Sequence, residues 1–238
     1  MLTQKLRYRE GDAHLTGSLT RDDASSAPKP GVLIIHGGAG LDAHAEKQAR
    51  RLADAGYVTF ACDMYGDGVT GNRERVLAQI NAFRTDRGRL AARATAGLDV
   101  LRAQPQIDGR IAAVGYCFGG LVALELARAG VELVGSISVH GTLTTTQPVQ
   151  AGAIKTPILV CQGALDPHCT LKDVAVFADE MKACGVDWEM VIYGNAMHGF
   201  THEDARGQMP GVLYEPDADI RSLSAIRAFL NRTLERRV

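Results

Sequence analysis

Apolar residues in this chain are grouped in short, continuous runs from residue 32 onward. The runs are rich in β-branched residues and are closed by Gly or Asp. Consecutive rather than alternating apolar positions are typical of strands that helices cover on both faces of a parallel sheet. We therefore predict six central strands, at residues 32–36, 57–62, 111–116, 133–139, 158–162 and 188–193.

The segments between these runs have apolar residues at three- and four-residue spacing, which indicates amphipathic helices. Asp42 is a suitable N-cap for a helix that runs to Ala55, and Gly56 and Gly185 are suitable stop signals. The other predicted helices include Leu90–Leu101 and residues 118–129, 171–183 and 219–234. In the last helix we expect five apolar side chains to face inward: Ile220, Leu223, Ile226, Phe229 and Leu230.

Two extended segments precede the first central strand, at residues 4–10 and 13–20, and Gly11-Asp12 joins them. A turn dipeptide between extended runs indicates an antiparallel hairpin. A polar stretch with Pro and Ser at residues 21–30 is predicted to be a surface loop. The sequence thus predicts an α/β fold in a single domain over residues 1–238, with a mainly parallel central sheet, helices on both faces and an N-terminal antiparallel hairpin.

Charge and hydropathy exclude several classes of partner. The chain has 26 Lys and Arg against 27 Asp and Glu, so its net charge is −1 and it has no basic footprint for nucleic acid or an anionic membrane. No apolar run approaches the roughly 20 residues that a membrane span needs. Residues 1–7 have no apolar core of a signal peptide. We expect neither a nucleic-acid partner nor a membrane partner.

The five cysteines are an odd number and include no Cys-x-x-Cys pair, which argues against a disulfide framework and a structural zinc site. We expect reduced thiols in a cytoplasmic protein, most of them buried. The positions are Cys62, Cys117, Cys161, Cys169 and Cys184.

One cysteine lies in a nucleophile-elbow motif. The predicted strand at 111–116 leads into Gly-Tyr-Cys-Phe-Gly-Gly at residues 115–120 and then into an apolar helix, which is G-x-S-x-G with Cys117 in place of serine. Gly115 and Gly119 keep side chains out of the sharp turn. The helix N-terminus favours negative charge, so we expect a lowered pKa for the Cys117 thiol.

A nucleophilic thiol needs a base and an acid that orients the base. In this architecture the chain order is nucleophile, acid, histidine. Asp166 follows the strand at 158–162, and His198 follows the strand at 188–193. The carboxyl ends of parallel strands meet at one edge of a sheet, so we predict a catalytic triad of Cys117, Asp166 and His198.

Backbone N–H groups are the expected oxyanion donors. One is that of Phe118, directly after the nucleophile, and the other comes from the glycine-rich turn after the first central strand, where Gly38 is preferred and Gly37 is the alternative. His36 and His140 each end a strand, and Tyr116 precedes the nucleophile. These three side chains are predicted to line the substrate pocket.

Two other classes of protein compete with a hydrolase. Residues 38–43 match the dinucleotide-binding pattern G-x-G-x-x-A, and Asp63 ends the next strand, where it would hold a ribose. However, that turn normally follows the first strand of its fold, whereas a hairpin precedes it here. The second alternative is a non-catalytic α/β binding module. Both alternatives leave three residues unexplained: Cys117, Asp166 and His198.

Four motifs together resemble the dienelactone hydrolases. They are Gly-Tyr-Cys-Phe-Gly-Gly at 115–120, Asp-Met-Tyr-Gly at 63–66, the loop at 163–166 and His-Gly-Phe at 198–200. The resemblance implies an α/β-hydrolase that cleaves an activated ester or lactone, a small molecule, through a cysteine thioester and without a cofactor. It implies a carboxymethylenebutenolidase-like esterase, which we expect to be a monomer or homodimer.

The resemblance also has two departures. The best-known dienelactone hydrolases carry a glutamate in the loop after the first central strand, where this chain has Gly37. They carry a substrate-binding arginine shortly after the catalytic histidine, where this chain has His202. Both positions are therefore candidate substrate contacts, and the catalytic motifs match the family better than the substrate-binding ones.

Overall fold

The computed structural model describes residues 1–24, 27–66 and 69–235. Within this part of the chain the strands are β1 (Leu2–Glu10), β2 (Ala13–Arg21), β3 (Lys29–Ile35), β4 (Val58–Cys62), β5 (Ile107–Tyr116), β6 (Gly135–Val139), β7 (Ile158–Gly163) and β8 (Trp188–Tyr193). The helices are α1 (Ala43–Ala53), α2 (Arg73–Thr85), α3 (Arg87–Arg102), α4 (Phe118–Arg128), α5 (Leu171–Cys184) and α6 (Pro216–Glu235).

The strands form an eight-stranded sheet in the order β1-β2-β4-β3-β5-β6-β7-β8. β1 and β2 form the antiparallel hairpin, and β2 also pairs antiparallel with β4. Pairing is parallel between β3 and β4, between β6 and β7, and between β7 and β8. The predicted fold class, a mainly parallel sheet with an N-terminal hairpin, is therefore confirmed.

The chain divides into two compact units, Met1–Val114 and Gly115–Val238, with the boundary inside β5. In the first unit, β3 and β4 are buried along most of their length, and α1 buries one face and has Asp42 as its N-cap, as predicted. The prediction of one domain over the whole chain stays a prediction.

In the second unit, α4 is anchored at its C-terminal end by a buried ion-pair network. The Arg128 guanidinium donates to Glu125 at 2.9 Å, to Glu180 at 2.6 and 2.9 Å, and to the Leu143 carbonyl at 2.8 Å. These contacts tie α4 to α5, so the helix that begins behind Cys117 is held at its far end.

Helix α2 was not predicted. Its apolar pattern is weak, because only Val76 and Phe83 are buried along thirteen residues. The local sequence signals for this helix are its flanking caps. Asn72 is the N-cap and accepts a hydrogen bond from the Arg75 N–H, and Asp86, which follows α2, is the N-cap of α3. The predicted loop at 21–30 is shorter in the structure, because residue 21 belongs to β2 and residues 29 and 30 belong to β3. Residues 25 and 26 lie outside the described residues.

The predicted inner face of α6 was partly wrong. Ile226, Phe229 and Leu230 are buried, but Leu223 is only half-buried and Ile220 is 60% exposed. At 100° per residue, Ile220 lies about 120° around the helix from Ile226, so it cannot share that face. Small and polar side chains complete the face instead: Ala218, Asp219, Ser222 and Thr233. None of the helices within the described residues is both long and apolar enough to cross a membrane.

Candidate active site

Cys117 lies at a strained turn between β5 and α4. Its φ of 53° and ψ of −115° fall where L-residues are rare, and it is half-buried. A Cβ on Gly115 would lie 1.8 Å from the Gly119 carbonyl oxygen, and one on Gly120 would lie 2.9 Å from the Gly141 Cα. Only glycine fits these two positions, because the atoms that a side chain would meet at closest range include backbone. The turn at Cys117 thus has the strand, the strained backbone and the following helix that a nucleophile elbow requires.

His198 lies beside the thiol. It follows β8, and its Nε2 is 3.0 Å from the Cys117 Sγ. Backbone hydrogen bonds hold the histidine on both sides: its N–H donates to the Gly211 carbonyl at 3.0 Å, and its carbonyl accepts from Leu213 at 3.1 Å. The segment that follows the histidine therefore folds back and fixes it against the thiol.

Asp166 is the partner of the other ring nitrogen. The His198 Nδ1–H donates to its Oδ2 at 2.9 Å, and the side chain of Asp166 is fully buried. The Gln162 amide also donates to Oδ2, at 2.8 Å. Oδ1 accepts the backbone N–H groups of His168 and Cys169, at 2.8 and 3.2 Å. Four donors thus hold this carboxylate in one orientation.

The electrostatics of this chain favour a charged histidine. Burial disfavours charge on His198, but its hydrogen bonds to Asp166 and Cys117 outweigh burial and raise the pKa of His198 to about 10. Burial likewise works against the charge on Asp166, yet the hydrogen bonds from His198 and from the two backbone N–H groups hold the pKa of that carboxyl below its ordinary value. An imidazolium between a carboxylate and a thiolate is the state that these contacts stabilise.

The other four cysteines are free, buried thiols. Burial raises the pKa of Cys161 and Cys169 to about 12, and it also raises the pKa of Cys62 and Cys184. A thiol that stays protonated is unreactive. Cys117 differs from these four in its surroundings, because it is only half-buried and lies 3.0 Å from the His198 Nε2.

His140 ends β6 and is fully buried. Its Nδ1 accepts the Cys117 backbone N–H at 3.1 Å, and its Nε2 is 2.8 Å from the Thr201 hydroxyl. The imidazole packs edge-to-face on His198, with ring centroids 5.4 Å apart. The ring therefore reaches the nucleophile and the histidine segment at once, and its predicted contact with substrate stays a prediction.

Two further histidines lie close to this group of side chains. The ring of His202 is half-buried and lies 5.9 Å from that of His140, at the place that the family resemblance gives to a substrate contact. His168 is exposed, and its ring meets His198 edge-to-face at 5.0 Å. Tyr116 is almost fully buried, with its ring 6.1 Å from His140. Pocket-lining roles for Tyr116 and His202 stay predictions.

In the first unit, the turn after β3 is held by side-chain hydrogen bonds. His36 is fully buried; its Nδ1–H donates to the Gly37 carbonyl at 2.7 Å and its Nε2 accepts the Met64 N–H at 3.0 Å. The Tyr65 hydroxyl donates to the Gly38 carbonyl at 3.2 Å. Burial lowers the pKa of His36, which keeps it neutral. The roles of Gly37, Gly38 and Phe118 at an oxyanion stay predictions.

Asp63 is buried, and backbone N–H groups already bind its carboxylate. This is the residue expected to hold a ribose in the dinucleotide-binding alternative. Its Oδ1 accepts the N–H groups of Tyr65 and Gly66, both at 2.9 Å, and its Oδ2 accepts that of Thr16 at 3.3 Å. A carboxylate with three backbone donors is a turn-forming group. Among residues 1–24, 27–66 and 69–235, no cluster of three or more His, Cys, Asp or Glu side chains is arranged to hold a metal ion.

Two residues near the candidate triad were not predicted from the sequence. Gln162 ends a predicted strand four residues before Asp166, and Thr201 lies three residues after His198. Closeness to the triad residues was the only available signal. A polar residue at a strand end or in a loop has too many ordinary uses for that signal to identify its role.

Comparison with known proteins agrees with this geometry. The sequence profile of the dienelactone hydrolase family matches residues 15–234. This chain belongs to the dienelactone hydrolase family. Membership identifies it as a carboxylic ester or lactone hydrolase on an α/β-hydrolase fold, which confirms the predicted enzyme class over the dinucleotide-binding and non-catalytic alternatives.

Individual relatives differ in what their names say. The chain is 27% identical to the carboxymethylenebutenolidase of Pseudomonas putida, over 70% of this chain and 72% of that protein. It is 36% identical to the uncharacterized protein K02A2.1 of Caenorhabditis elegans, over 60% of this chain and 93% of that one. A solved structure of a dienelactone hydrolase-like promiscuous phosphotriesterase from metagenomic libraries is 37% identical, covers 98% of both chains and superposes with a TM-score of 0.92.

Proposed function

We propose that this dienelactone hydrolase family member cleaves small esters or lactones through a thioester on Cys117, with His198 as general base and acid and Asp166 as the group that orients it. One observation carries the proposal. An unbroken hydrogen-bonded chain runs from the Cys117 Sγ through both ring nitrogens of His198 to the buried Asp166 carboxylate, at 3.0 and 2.9 Å. This is the arrangement that an activated nucleophile requires.

In the first half-reaction the Cys117 thiolate attacks the ester carbonyl carbon, and a C–S bond forms. The tetrahedral intermediate collapses, the C–O bond breaks, and the His198 imidazolium gives its proton to the departing alkoxide. In the second half-reaction neutral His198 takes a proton from water, the hydroxide attacks the thioester, and the carboxylic acid leaves as Cys117 is regenerated. Asp166 keeps the Nδ1 proton in place throughout.

The developing negative charge on the carbonyl oxygen needs backbone donors. The proposal assigns them to the N–H of Phe118, the first residue of α4, and to the N–H of Gly38. The position of Phe118 at a helix N-terminus supports its assignment, because that end of a helix stabilises negative charge.

The test is a thioester trap. Wild-type protein mixed with p-nitrophenyl acetate and quenched within one turnover should gain one acetyl group, mapped by mass spectrometry to the peptide that contains Cys117. Cys117→Ala should gain none and release no burst of p-nitrophenol, whereas Cys62→Ala is the matched control and should behave as wild type. Acetylation of another residue, or full turnover by Cys117→Ala, would contradict the proposal.

We propose that the substrate carries a neutral acyl group. His202 occupies the place where the best-known relatives carry a substrate-binding arginine, and an ordinary imidazole is mostly neutral at pH 7. We propose a neutral ester or lactone, a cytoplasmic location in keeping with the five free thiols, and a monomeric or homodimeric protein with no nucleic-acid or membrane partner.

The phosphotriesterase named above supports a second candidate activity, hydrolysis of neutral phosphotriesters. The same thiolate would attack phosphorus, form a P–S bond and expel an aryloxide, and water would then hydrolyse the P–S bond. Turnover of diethyl p-nitrophenyl phosphate by wild type and its loss in Cys117→Ala would support this activity. Equal turnover by both proteins would assign it to another site or a contaminant.

A further inference from the structure

The His140 backbone has a conformation that is rare for a residue with a side chain. Its φ is 41°, and within the described residues only Cys117 shares a positive φ without being glycine. The residue is fully buried, and its own N–H donates to the Cys161 carbonyl at 2.8 Å. A strained, buried histidine beside a nucleophile indicates that the surrounding structure holds it there for a reason.

The hydrogen bonds of His140 determine where its proton lies. The Cys117 N–H is shared between two acceptors, the Val139 carbonyl at 3.0 Å and the His140 Nδ1 at 3.1 Å, so Nδ1 accepts and carries no proton. The proton of the neutral ring is therefore on Nε2, which donates to the Thr201 Oγ1 at 2.8 Å. One imidazole thus connects the backbone of the nucleophile to the segment that carries the base.

We infer that His140 is a positioning residue: its ring, held between the Cys117 N–H and the Thr201 hydroxyl, sets the distance between the Cys117 thiol and the His198 imidazole. This inference rests on the proposed function, in which that thiol and that imidazole react. Thr201 lies three residues after His198, so a contact at Thr201 restrains the turn that presents His198.

The surroundings of the ring favour a rigid, neutral imidazole. Phe200 packs edge-to-face on it at 5.0 Å, and the rings of Tyr116, His198 and His202 lie 6.1, 5.4 and 5.9 Å away. A second proton, on Nδ1, would face the Cys117 N–H donor and would lie beside the His198 imidazolium. His140 therefore serves as a neutral spacer with one acceptor and one donor.

Positioning of this kind affects turnover more than substrate affinity. The thiol and the imidazole are 3.0 Å apart, and a misplacement of about 1 Å at a reacting pair can lower the rate on the order of 100-fold. Because protein groups occupy both His140 nitrogens, loosening the bridge should leave KM nearly unchanged. A ring that bound substrate would show the opposite pattern.

The experiment removes each end of the bridge separately. Thr201→Val keeps the volume of a side chain that is 1% exposed and removes the hydroxyl, and Thr201→Ser is the matched control that restores it. We expect Thr201→Val to lower kcat for p-nitrophenyl acetate about 10- to 100-fold, with KM within about threefold of wild type, and Thr201→Ser to stay near wild type. His140→Asn tolerates the positive φ and can accept the Cys117 N–H, but it is too short to reach Thr201.

Three readouts decide the inference. Thr201→Val added to His140→Asn should cause little further loss, because both break one bridge. Nitrogen-15 NMR of labelled histidine should find His140 neutral, with its proton on Nε2. The rate of Cys117 alkylation in Thr201→Val should rise at a higher pH than in wild type, toward the ordinary cysteine range near pKa 8.5.

Contrary results are equally specific. A kcat of Thr201→Val near wild type, equal losses in Thr201→Val and Thr201→Ser, additive losses in the double variant, or a His140 proton on Nδ1 would each overturn the inference. Failure of the proposed function would look different, because Cys117→Ala would then retain activity. Full inactivity of Cys117→Ala together with an unaffected Thr201→Val would reject the bridge and leave the function standing.

Discussion

Replacing Asp166 with asparagine removes the negative charge beside His198 but keeps the size and shape of the side chain. In the wild type, Oδ1 of Asp166 accepts two backbone N–H groups, those of His168 and Cys169, and Oδ2 accepts His198 and Gln162. An asparagine must divide these places between one oxygen and one NH₂ group. The two backbone N–H groups at the Oδ1 place need an acceptor, and an NH₂ group cannot accept them. They therefore determine which place the amide oxygen takes.

In Asp166→Asn the amide oxygen therefore takes the Oδ1 place, and the NH₂ group takes the place of Oδ2. That NH₂ group then faces the His198 Nδ1 at about the distance of the wild-type oxygen, so Nδ1 must accept a hydrogen bond from it. The ring then carries one proton, on Nε2 next to the Cys117 thiol, so His198 can no longer take the thiol proton and the imidazolium–thiolate pair is lost. Gln162 can adapt by rotating its amide, because its Oε1 has no hydrogen-bond partner among the residues that the structure describes. The rotation gives up the hydrogen bond of 3.4 Å from its Nε2 to the Cys169 carbonyl.

Two different magnitudes follow from this rearrangement. Holding a catalytic histidine in the wrong tautomer lowers kcat about 10⁴-fold, or roughly 5.5 kcal/mol at 1.36 kcal/mol per factor of ten. Stability also falls, because each charge-assisted bond that becomes neutral is weaker by about 1 kcal/mol. The four donors therefore set an upper limit of about 4 kcal/mol on the loss, which is below the roughly 5 to 15 kcal/mol that stabilises a typical domain. We expect a folded protein that is nearly inactive.

The assay compares kcat for p-nitrophenyl acetate with the midpoint of urea unfolding, in Asp166→Asn and in Asp179→Asn. The control makes the same charge change on the exposed face of α5. Asp179→Asn should match wild type in kcat. A folded Asp166→Asn that keeps more than about a tenth of wild-type kcat, or a loss of kcat that unfolding explains, would contradict the tautomer change.

Three other predictions concern the thiol, the pair and the substrate. Iodoacetamide at neutral pH should modify Cys117 first and remove activity in proportion, and peptide mapping that finds another cysteine ahead of it, with activity retained, would remove Cys117 from its role. Cys117→Ala and His198→Ala should each lower kcat by several orders of magnitude and the double variant little further, whereas fully additive losses would mean that one assignment is wrong. Because His202 stands in place of an arginine, kcat/KM for a neutral p-nitrophenyl ester should equal or exceed that for an anionic enol-lactone, and a hundredfold preference for the lactone would contradict a neutral substrate.

The predictable part of this protein is the part that lies in local patterns. The central strands are continuous apolar runs, and Cys117, Asp166 and His198 follow their strands in a fixed chain order, so both could be found without a structure. Helix α2 was missed because two buried residues in thirteen do not make a periodic pattern.

The less predictable part depends on contacts between residues far apart in the chain. Gln162 in a strand would ordinarily be interpreted as a residue of the sheet interior, and its role is visible only when its amide meets Asp166. The contact between His140 and Thr201 joins residues 61 positions apart, and no local pattern encodes it. Such contacts are set by the packing of strands β6 and β7 and the loops that follow the strands.

The crowding at Gly115 has a consequence for how this enzyme can change. A side chain there would collide with backbone atoms of residues 119 and 120, which cannot move without dismantling the start of α4. At position 117, by contrast, the fold requires a particular backbone conformation, and the chemistry depends on one side-chain atom, sulfur or oxygen. In a library of variants, we therefore expect most substitutions at position 115 to prevent folding. Most substitutions at position 117 should leave the protein folded but inactive. Gly115 is therefore the less replaceable of the two residues, and we expect new reactivity to be obtained most readily by exchanging Cys117 within an unaltered turn.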